Sequence, residues 1–291
     1  MQTATPIIER SPAAMQRMAD AWRSAGKQIA FVPTMGALHA GHTTLMRTAR
    51  HEADVLVASV FVNPTQFGKG EDFDKYPRAL DRDVQRAGEA GVDVIFAPEA
   101  AAMYPAGYAT YVDVEGIATV LEGAARPGHF RGVATVVTKL LNIVKPHVVY
   151  FGQKDAQQVA VISRMMSDLH FDTKLIIVPT VRETDGLAMS SRNAYLTEQQ
   201  RSEAPVLYRA LQLGERRLRE HTLDPAAVLH EMRALITTSS SGVIEYISIA
   251  DAETLQELHE PVADRPVLVS LAVRFGTTRL IDNILIPGSR T

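Results

Sequence analysis

Short apolar runs alternate with longer amphipathic stretches along the first 180 residues of the chain. The apolar runs predict five strands, at residues 28–32, 55–62, 92–97, 147–151 and 174–178. Alternation of this kind is typical of parallel strands that are joined by right-handed helical crossovers. We therefore expect an α/β fold with a doubly wound, Rossmann-like parallel sheet.

The clearest helix prediction covers residues 133–144. Its apolar positions recur at helical spacing and are Val133, Val136, Val137, Leu140, Leu141 and Val144. Lys145 and Pro146 follow directly, and proline is a strong signal for the end of a helix. This segment is expected to pack in the core and to take no part in chemistry.

The pattern changes after residue 180. Two helical segments, 198–220 and 225–237, precede strand-like runs at 242–250, 266–275 and 279–286. The last two runs are joined by Gly276-Thr277-Thr278, which predicts a hairpin turn. We expect residues 1–183 to form the Rossmann-like domain and residues 184–291 a smaller C-terminal α+β lid domain.

Composition excludes several classes of protein. The chain has 291 residues, 46% of them hydrophobic, which is enough to bury a large core. A net charge of −3 argues against a nucleic-acid partner, and the chain contains no cysteine for thiolate catalysis or disulfides. Residues 1–10 lack the pattern of a secretion signal, and no stretch is long enough for a membrane span. We expect a cytoplasmic protein with no membrane partner.

The segment His39-Ala40-Gly41-His42 carries the strongest chemical signal. It follows an apolar run and the turn Pro33-Thr34-Met35-Gly36, so a strand is predicted to end there and a helix to begin. Two imidazoles three residues apart share a helix face, and the helix N-terminus favours phosphate groups. A zinc site would need a third ligand nearby, and solvated helix histidines remain an alternative. We interpret the segment as part of a polyphosphate site in a nucleotide-using enzyme.

Three further polar segments follow predicted strands or open the second region. Asn63-Pro64-Thr65-Gln66-Phe67 and Gly152-Gln153-Lys154-Asp155 lie after strands, at the sheet edge where ligands bind in this fold, and should converge with the histidines. Lys154 is a candidate phosphate ligand, and Gly152 permits close approach to a ribose or base. Asp155 could cap the next helix or bind a ribose hydroxyl. Met189-Ser190-Ser191-Arg192 could close over a triphosphate and stabilise a leaving pyrophosphate.

These motifs together resemble a known family. The segment from Met35 to His42 is similar to the HIGH-type signature of the nucleotidyltransferase superfamily, and Met189 to Arg192 stands at its KMSKS-like loop. With the segments 61–67, 126–132 and 150–155, the whole chain resembles the pantoate–β-alanine ligase (pantothenate synthetase) family. The resemblance implies a homodimer and a two-step ligation with ATP and Mg²⁺. Pantoate is first adenylated, and the amine of β-alanine then displaces AMP.

The resemblance also implies roles for individual residues. The catalytic residues that it implies are His42, His39, Lys154, Ser190, Ser191 and Arg192. The ATP contacts that it implies are Met35, Gly36, Ala37, Leu38, His39, Ala40, Gly41, His42, Gly152, Gln153, Lys154, Asp155, Val181, Met189, Ser190, Ser191 and Arg192. Gln66 and Gln158 match the side chains that hold pantoate, and an amide can both donate to and accept from such a substrate.

Several alternatives stay open at this point. His42 is interpreted as a group that stabilises charge, since neither step plainly needs a proton from imidazole. The metal ligands are unknown; Asp81 and Asp83 are expected to be solvated helix-surface acids, not ligands. Rival interpretations are another adenylyl or cytidylyl transferase, an aminoacyl-tRNA synthetase, and a non-catalytic nucleotide sensor. Residues 185–192 are expected to form a mobile lid.

Overall fold

The computed structural model describes residues 5–68, 70–220, 224–260 and 264–288. The chain divides into two compact units. The first is formed by residues 1–152 with 161–179, and the second by residues 153–160 with 180–291. The predicted domain boundary between residues 183 and 184 stays a prediction.

Six strands of the first unit form one sheet, in the order β1-β4-β3-β2-β5-β6, and every pairing is parallel. The strands are β1 (Ile7–Glu9), β2 (Ile29–Thr34), β3 (Val55–Val60), β4 (Val94–Phe96), β5 (Val148–Gly152) and β6 (Lys174–Val178). The doubly wound α/β prediction is therefore confirmed. Strand β1 was not predicted, because three residues are too few to show a periodic pattern.

Seven helices connect or flank these strands in the described part of the chain. They are α1 (Pro12–Ser24), α2 (Ala40–Arg50), α3 (Leu80–Glu89), α4 (Ala100–Met103), α5 (Glu122–Ala125), α6 (His129–Val144) and α7 (Ala156–Asp168). Helix α6 confirms the predicted core helix, and its apolar side chains are buried. It begins four residues earlier than predicted, after Gly128, which has a positive φ of 82°.

Strand β2 continues through Pro33, where the sequence predicted a turn. Pro33 pairs with Ser59 of β3, whereas the pairing of β2 with β5 ends at Phe31. The N–H of Thr34 donates to Ser59 Oγ, so the nitrogen of Pro33 faces away from β3. The missing N–H therefore interrupts no ladder, and β2 delivers residues 35–42 to the carboxyl edge of the sheet.

The described part of the second unit contains three helices and three strands besides the first residues of α7. They are α8 (Glu198–Glu203), α9 (Val206–Arg219), α10 (Pro225–Ser239), β7 (Val243–Asp251), β8 (Val267–Phe275) and β9 (Thr278–Ile286). The prediction of one helix over 198–220 was wrong. Pro205 lacks the N–H needed inside a helix, and the chain divides into α8 and α9 at that position.

Strands β7, β8 and β9 form an antiparallel sheet in that order. Phe275 pairs with Thr278 across a turn of two residues, of which Gly276 has a φ of 59°. The predicted hairpin is confirmed, although Thr278 belongs to the strand. Apolar side chains of α9, α10 and the sheet form one buried cluster, which makes this unit the smaller α+β part.

Candidate active site

The two histidines at the start of α2 hold each other in place. His39 is the N-cap residue, and its Nδ1 accepts the backbone N–H of Gly41 at 3.1 Å. His42 Nδ1 accepts the N–H of His39 at 3.3 Å, which completes a reciprocal capping box. Because each Nδ1 accepts a hydrogen bond, the proton of either neutral ring is on Nε2. Both imidazoles are therefore set as Nε2–H donors beside a helix N-terminus.

The turn before this helix is held by a carboxylate from α3. Gly36 and Ala37 have positive φ values of 84° and 50°. Asp83 Oδ2 accepts the N–H of Ala37 at 3.0 Å, and Oδ1 accepts that of Leu38 at 2.8 Å. A Cβ on residue 36 would lie 2.9 Å from Asp83 Oδ2, so the close approach also requires glycine.

The expectation that Asp83 is a solvated surface acid was wrong. Its residue exposure is only 2%, whereas Asp81 on the same helix is exposed. Burial raises the pKa of Asp83 and outweighs the hydrogen bonds from Leu38 and Ala37, which lower it. Arg86, one turn further along α3, donates to the carbonyl of Leu38. Asp83 therefore accepts the backbone N–H of Leu38, the residue before His39, and Arg86 donates to its carbonyl.

Gln66 lies in a short 3₁₀ helix, Pro64–Gln66, that follows β3. Its side chain is almost buried, and its Oε1 accepts a hydrogen bond from Asn63 Nδ2 at 3.0 Å. Gln66 Nε2 lies 3.2 Å from the sulfur of Met35, which belongs to the turn before α2. The structure therefore brings this predicted substrate residue next to the segment that carries the histidines.

An ion-paired cluster supports the backbone of Gln66. Arg126 makes a bidentate ion pair with Glu71, at 2.7 and 2.6 Å, and donates to His129 Nε2 at 3.0 Å. His129 Nδ1 in turn donates to the carbonyl of Gln66 at 2.8 Å. Burial and the charge of Arg126 lower the pKa of His129 to about 4, so this imidazole is neutral at pH 7.

The remaining predicted residues lie in the second unit, apart from Gly152, which ends β5. Gln153–Asp155 is a 3₁₀ turn, in which Lys154 Nζ lies 3.3 Å from Asp155 Oδ1. Gln158 lies in the first turn of α7. Asp155 directly precedes this helix, and its roles in capping and in ribose binding both stay predictions. The predicted convergence of Lys154 with the histidines also stays a prediction.

Met189, Ser190, Ser191 and Arg192 follow a small hairpin. The hairpin joins Arg182 to Ala188, and the N–H of Met189 donates to the carbonyl of Val181 at 3.0 Å. Ser190 Oγ accepts the N–H of Arg192 at 3.2 Å and caps a 3₁₀ helix, Ser191–Tyr195. Val181 and the residues Met189–Arg192 are therefore adjacent.

Ion pairs and amide hydrogen bonds hold the hairpin in place. Arg201 binds Asp185 at 2.6 Å and Glu183 at 2.8 Å, and Asn193 Nδ2 donates to Glu183 and to the carbonyl of Ala188. Mobility of the whole stretch 185–192 stays a prediction.

Sequence reasoning missed the residues that support the site from a distance. Asp83 and Arg86 hold residues that precede them by more than forty positions, and no local pattern points to such contacts. Asp282 and Asn283 of β9 likewise contact segments about one hundred or more positions earlier. Their only signal was the presence of polar residues inside a strongly apolar strand.

Within the described ranges, no three side chains of His, Cys, Asp or Glu come together as a possible metal site. No helix of the described chain is long and apolar enough to cross a membrane.

Comparison with known proteins gives consistent matches over nearly the whole chain. A family model described as pantoate-β-alanine ligase matches residues 7–285. The pantothenate synthetase of Moorella thermoacetica is 55% identical over 274 residues, which cover 94% of this chain and 96% of that protein. The pantothenate synthetase of Geobacter sulfurreducens is 52% identical and covers 95% of this chain and 97% of its own.

Solved structures of the same family are also similar to this chain. Pantothenate synthetase from Thermus thermophilus superposes with a TM-score of 0.87 at 46% identity, covering 96% of this chain and 98% of its own. Pantoate-β-alanine ligase from Francisella tularensis, complexed with β-γ ATP and β-alanine, gives a TM-score of 0.79 at 36% identity, with coverages of 96% and 97%.

Proposed function

Because the chain belongs to the pantoate–β-alanine ligase family, we propose that it condenses pantoate with β-alanine at the expense of ATP. The match to pantothenate synthetases over almost the full length carries this conclusion. The products are pantothenate, AMP and pyrophosphate. The enzyme is thus an AMP-forming ligase of pantothenate biosynthesis.

The proposed reaction has two steps, formation of an adenylate and then of an amide. A carboxylate oxygen of pantoate attacks the α-phosphorus of ATP, and the bond from that phosphorus to the bridging oxygen breaks to release pyrophosphate. The amine of β-alanine then attacks the acyl carbon of the pantoyl adenylate. The C–O bond to AMP breaks, the amide forms and the nitrogen loses its proton to solvent. Neither step needs a covalent enzyme intermediate, so positioning and charge stabilisation can carry the chemistry.

We assign the phosphates of ATP to the start of α2. The Nε2–H groups of His39 and His42 donate to phosphate oxygens, and the positive end of the helix dipole adds a favourable field. His42 acts as a hydrogen-bond donor that stabilises charge in the transition state. The capping box supports this role, because His42 Nδ1 accepts the backbone N–H of His39 and the ring donates through its other nitrogen.

The other roles follow the family pattern. Lys154, Ser190, Ser191 and Arg192 stabilise charge on the leaving pyrophosphate, and Gln66 with Gln158 holds pantoate. The nucleotide contacts comprise Met35, Gly36, Ala37, Leu38, His39, Ala40, Gly41, His42, Gly152, Gln153, Lys154, Asp155, Val181, Met189, Ser190, Ser191 and Arg192. The contact between Gln66 and Met35 supports this assignment, because it places a side chain assigned to pantoate beside a residue assigned to ATP.

The proposal includes a magnesium ion, a homodimer and a cytoplasmic location. Magnesium prefers phosphate oxygens and water, and the described residues offer no cluster of three ligating side chains. The ion would therefore be held by the triphosphate, and no step above depends on a protein ligand to it. The homodimer, the location and the division into domains at residues 183 and 184 rest on the family resemblance and the sequence.

Pyrophosphate–ATP exchange tests the proposal directly. The assay contains magnesium and omits β-alanine, and it is run with and without pantoate. Exchange that requires pantoate establishes adenylate formation, and added β-alanine should then yield pantothenate and AMP. Protein that binds ATP but gives no exchange would be a nucleotide sensor or an enzyme for another acid, which contradicts the proposal.

A further inference from the structure

Asn283 of β9 holds the backbone of the segment that contains Lys154. Its Nδ2 donates to the carbonyl of Gln153 at 3.1 Å and to that of Lys154 at 2.8 Å. Its Oδ1 accepts a hydrogen bond from Gln153 Nε2 at 3.2 Å. The residue is only 4% exposed. Three of the four hydrogen bonds that a buried amide can form are therefore directed at one short turn.

The preceding residue, Asp282, holds Arg182, at the start of the hairpin that leads into the second proposed nucleotide segment, Met189–Arg192. Its carboxylate forms a bidentate ion pair with Arg182, at 2.6 and 3.0 Å, and is 3% exposed. Arg182 also donates to the carbonyl of Gly186 at 3.1 Å and stacks over the ring of Tyr208 at 3.8 Å. The hairpin that leads into Met189 is thereby fixed to β9.

Two adjacent residues of a strand point to opposite faces of its sheet. Asp282 and Asn283 therefore reach two different segments from one rigid backbone. The position is reinforced because Arg182 also donates to the carbonyl of Asn283 at 3.4 Å. Buried hydrogen bonds and a buried bidentate ion pair define a geometry more narrowly than exposed contacts do.

We propose that Asp282 and Asn283 are positioning residues of the nucleotide site, which set the turn Gln153–Asp155 and the loop Met189–Arg192 relative to each other. The inference rests on the proposed function, because that function assigns both segments to ATP. Neither residue touches the reacting atoms. Asp282 and Asn283 act through Arg182 and through the backbone of Lys154, so that the turn with the lysine and the base of the loop Met189–Arg192 are held in a defined arrangement.

A purely structural role would give a different result. Asp251 of β7 offers a matched control in the same sheet. It is also buried, at 7% exposure, it pairs with Arg265 at 3.2 Å, and it accepts backbone N–H groups of Glu253 and Thr254. None of these partners belongs to a predicted nucleotide segment. Asp251→Asn should therefore destabilise the sheet without changing nucleotide binding.

The experiment compares Asn283→Asp, Asp282→Asn and Asp251→Asn in the full chain. Each substitution keeps the size of the side chain, and Asn283→Asp removes the two donors to the turn. Calorimetry gives Kd for ATP without pantoate, thermal melting gives stability, and steady-state rates give KM for each substrate. The first two variants should raise Kd and KM for ATP about tenfold, the scale of one or two lost hydrogen bonds. KM for β-alanine should stay within about twofold of wild type in every variant.

Asp251→Asn is expected to lower the melting temperature and to leave Kd for ATP unchanged. Wild-type affinity for ATP in both site variants would overturn the inference, and so would an equal loss of affinity in Asp251→Asn. Each of the two site variants tests the inference by itself. If one of them does not fold, the other still decides the result. If wild-type protein binds ATP but lacks pantoate-dependent exchange, the proposed function fails while the affinity comparison still decides the inference.

Discussion

The side chain of His42 has a structural role on one ring nitrogen and, in the proposed function, a chemical role on the other. Nδ1 accepts the N–H of His39 and so caps α2, and the proposed function assigns Nε2 as a donor to a phosphate oxygen. The same division applies to His39, whose Nδ1 accepts the N–H of Gly41. The orientation of both rings is therefore fixed by the backbone before any ligand binds, which lowers the cost of ordering them in the transition state.

His42→Ala should lower the rate of pantoate-dependent pyrophosphate–ATP exchange by about 10²–10³-fold. This is the loss expected when one donor to developing charge is removed, about 3–4 kcal/mol. His42→Gln places an amide donor near the position of Nε2 and should retain part of the activity. His51, exposed at the other end of α2, supplies the control, and His51→Ala should exchange at the wild-type rate. Near-normal exchange by His42→Ala would refute the role.

Asp83→Ala should destabilise the protein by about 1–3 kcal/mol, because the N–H groups of Ala37 and Leu38 lose their buried acceptor. It should also raise KM for ATP, since the turn before His39 loses its support. Urea unfolding and steady-state kinetics measure the two effects. Asp81→Ala, on the exposed side of the same helix, should change neither; an Asp83→Ala protein with unaltered KM for ATP would contradict the positioning role.

At the scale of elements, the packing of α6 against the 3₁₀ helix Pro64–Gln66 positions Gln66. Gly132 lies at this contact, and a Cβ there would be 2.3 Å from the carbonyl oxygen of Thr65 and 2.7 Å from Gln66 Cα. Only a residue without a side chain permits this approach. The carbonyl of Gly132 also accepts a hydrogen bond from Asn63 at 3.1 Å, so the two elements are joined by backbone geometry.

Gly132→Ala should therefore displace the 3₁₀ helix and raise KM for pantoate, with an overpacking cost of about 1–3 kcal/mol in stability. KM for ATP should change less. Asn142→Ala, on the exposed face of α6, is the matched control and should leave both KM values unchanged. Equal KM values for pantoate in Gly132→Ala and wild type would show that Gln66 does not hold this substrate.

The hairpin at 182–188 and the loop that follows it should respond differently to ligands. The N–H of Glu183 donates to the carbonyl of Leu187 at 2.8 Å, and Arg201 adds two ion pairs. Hydrogen exchange should find these amides protected without ligand. Saturating ATP and pantoate should slow exchange mainly in residues 190–195. Unchanged exchange throughout 182–195 would end the hypothesis of a closing lid.

Prediction from sequence succeeded where the structure is local. His39 and His42 are three positions apart, and their helix start could be inferred from the preceding strand and turn. Core strands β2 to β5 showed as apolar runs because both faces of a parallel sheet are buried there, and the edge strand β6 also showed as an apolar run although it is more exposed. Asp83 could not be recognised, because its burial depends on α3 packing beside a turn 45 positions away. The break at Pro205 and the role of Asn283 likewise depend on long-range packing.

For the whole molecule, the stability of the described chain should depend on pH through His129. Its pKa is lowered from 6.5 to about 4, by burial first and then by the charge of Arg126. Below pH 6.5 the unfolded chain therefore binds a proton that the folded chain rejects, and folding stability falls as pH decreases toward 4. Glu71, whose burial is outweighed by Arg126 so that its pKa is lowered, loses its contribution only below its ordinary value of 4.5. The loss of stability from His129, between pH 6.5 and 4, therefore begins at a higher pH than the loss from Glu71.

The unfolding free energy of the wild type should accordingly decrease by about 2–3 kcal/mol between pH 7.5 and 4.5 on account of His129 alone. His129→Asn can still donate to the carbonyl of Gln66 but cannot titrate, so its decrease should be smaller by that amount. Urea unfolding of both proteins at several pH values measures the difference. His147, whose pKa is also lowered by burial, is present in both proteins and cancels in the comparison. Parallel pH profiles for the two proteins would mean that His129 is protonated in the folded state, and the Arg126 contact would then have to break in acid.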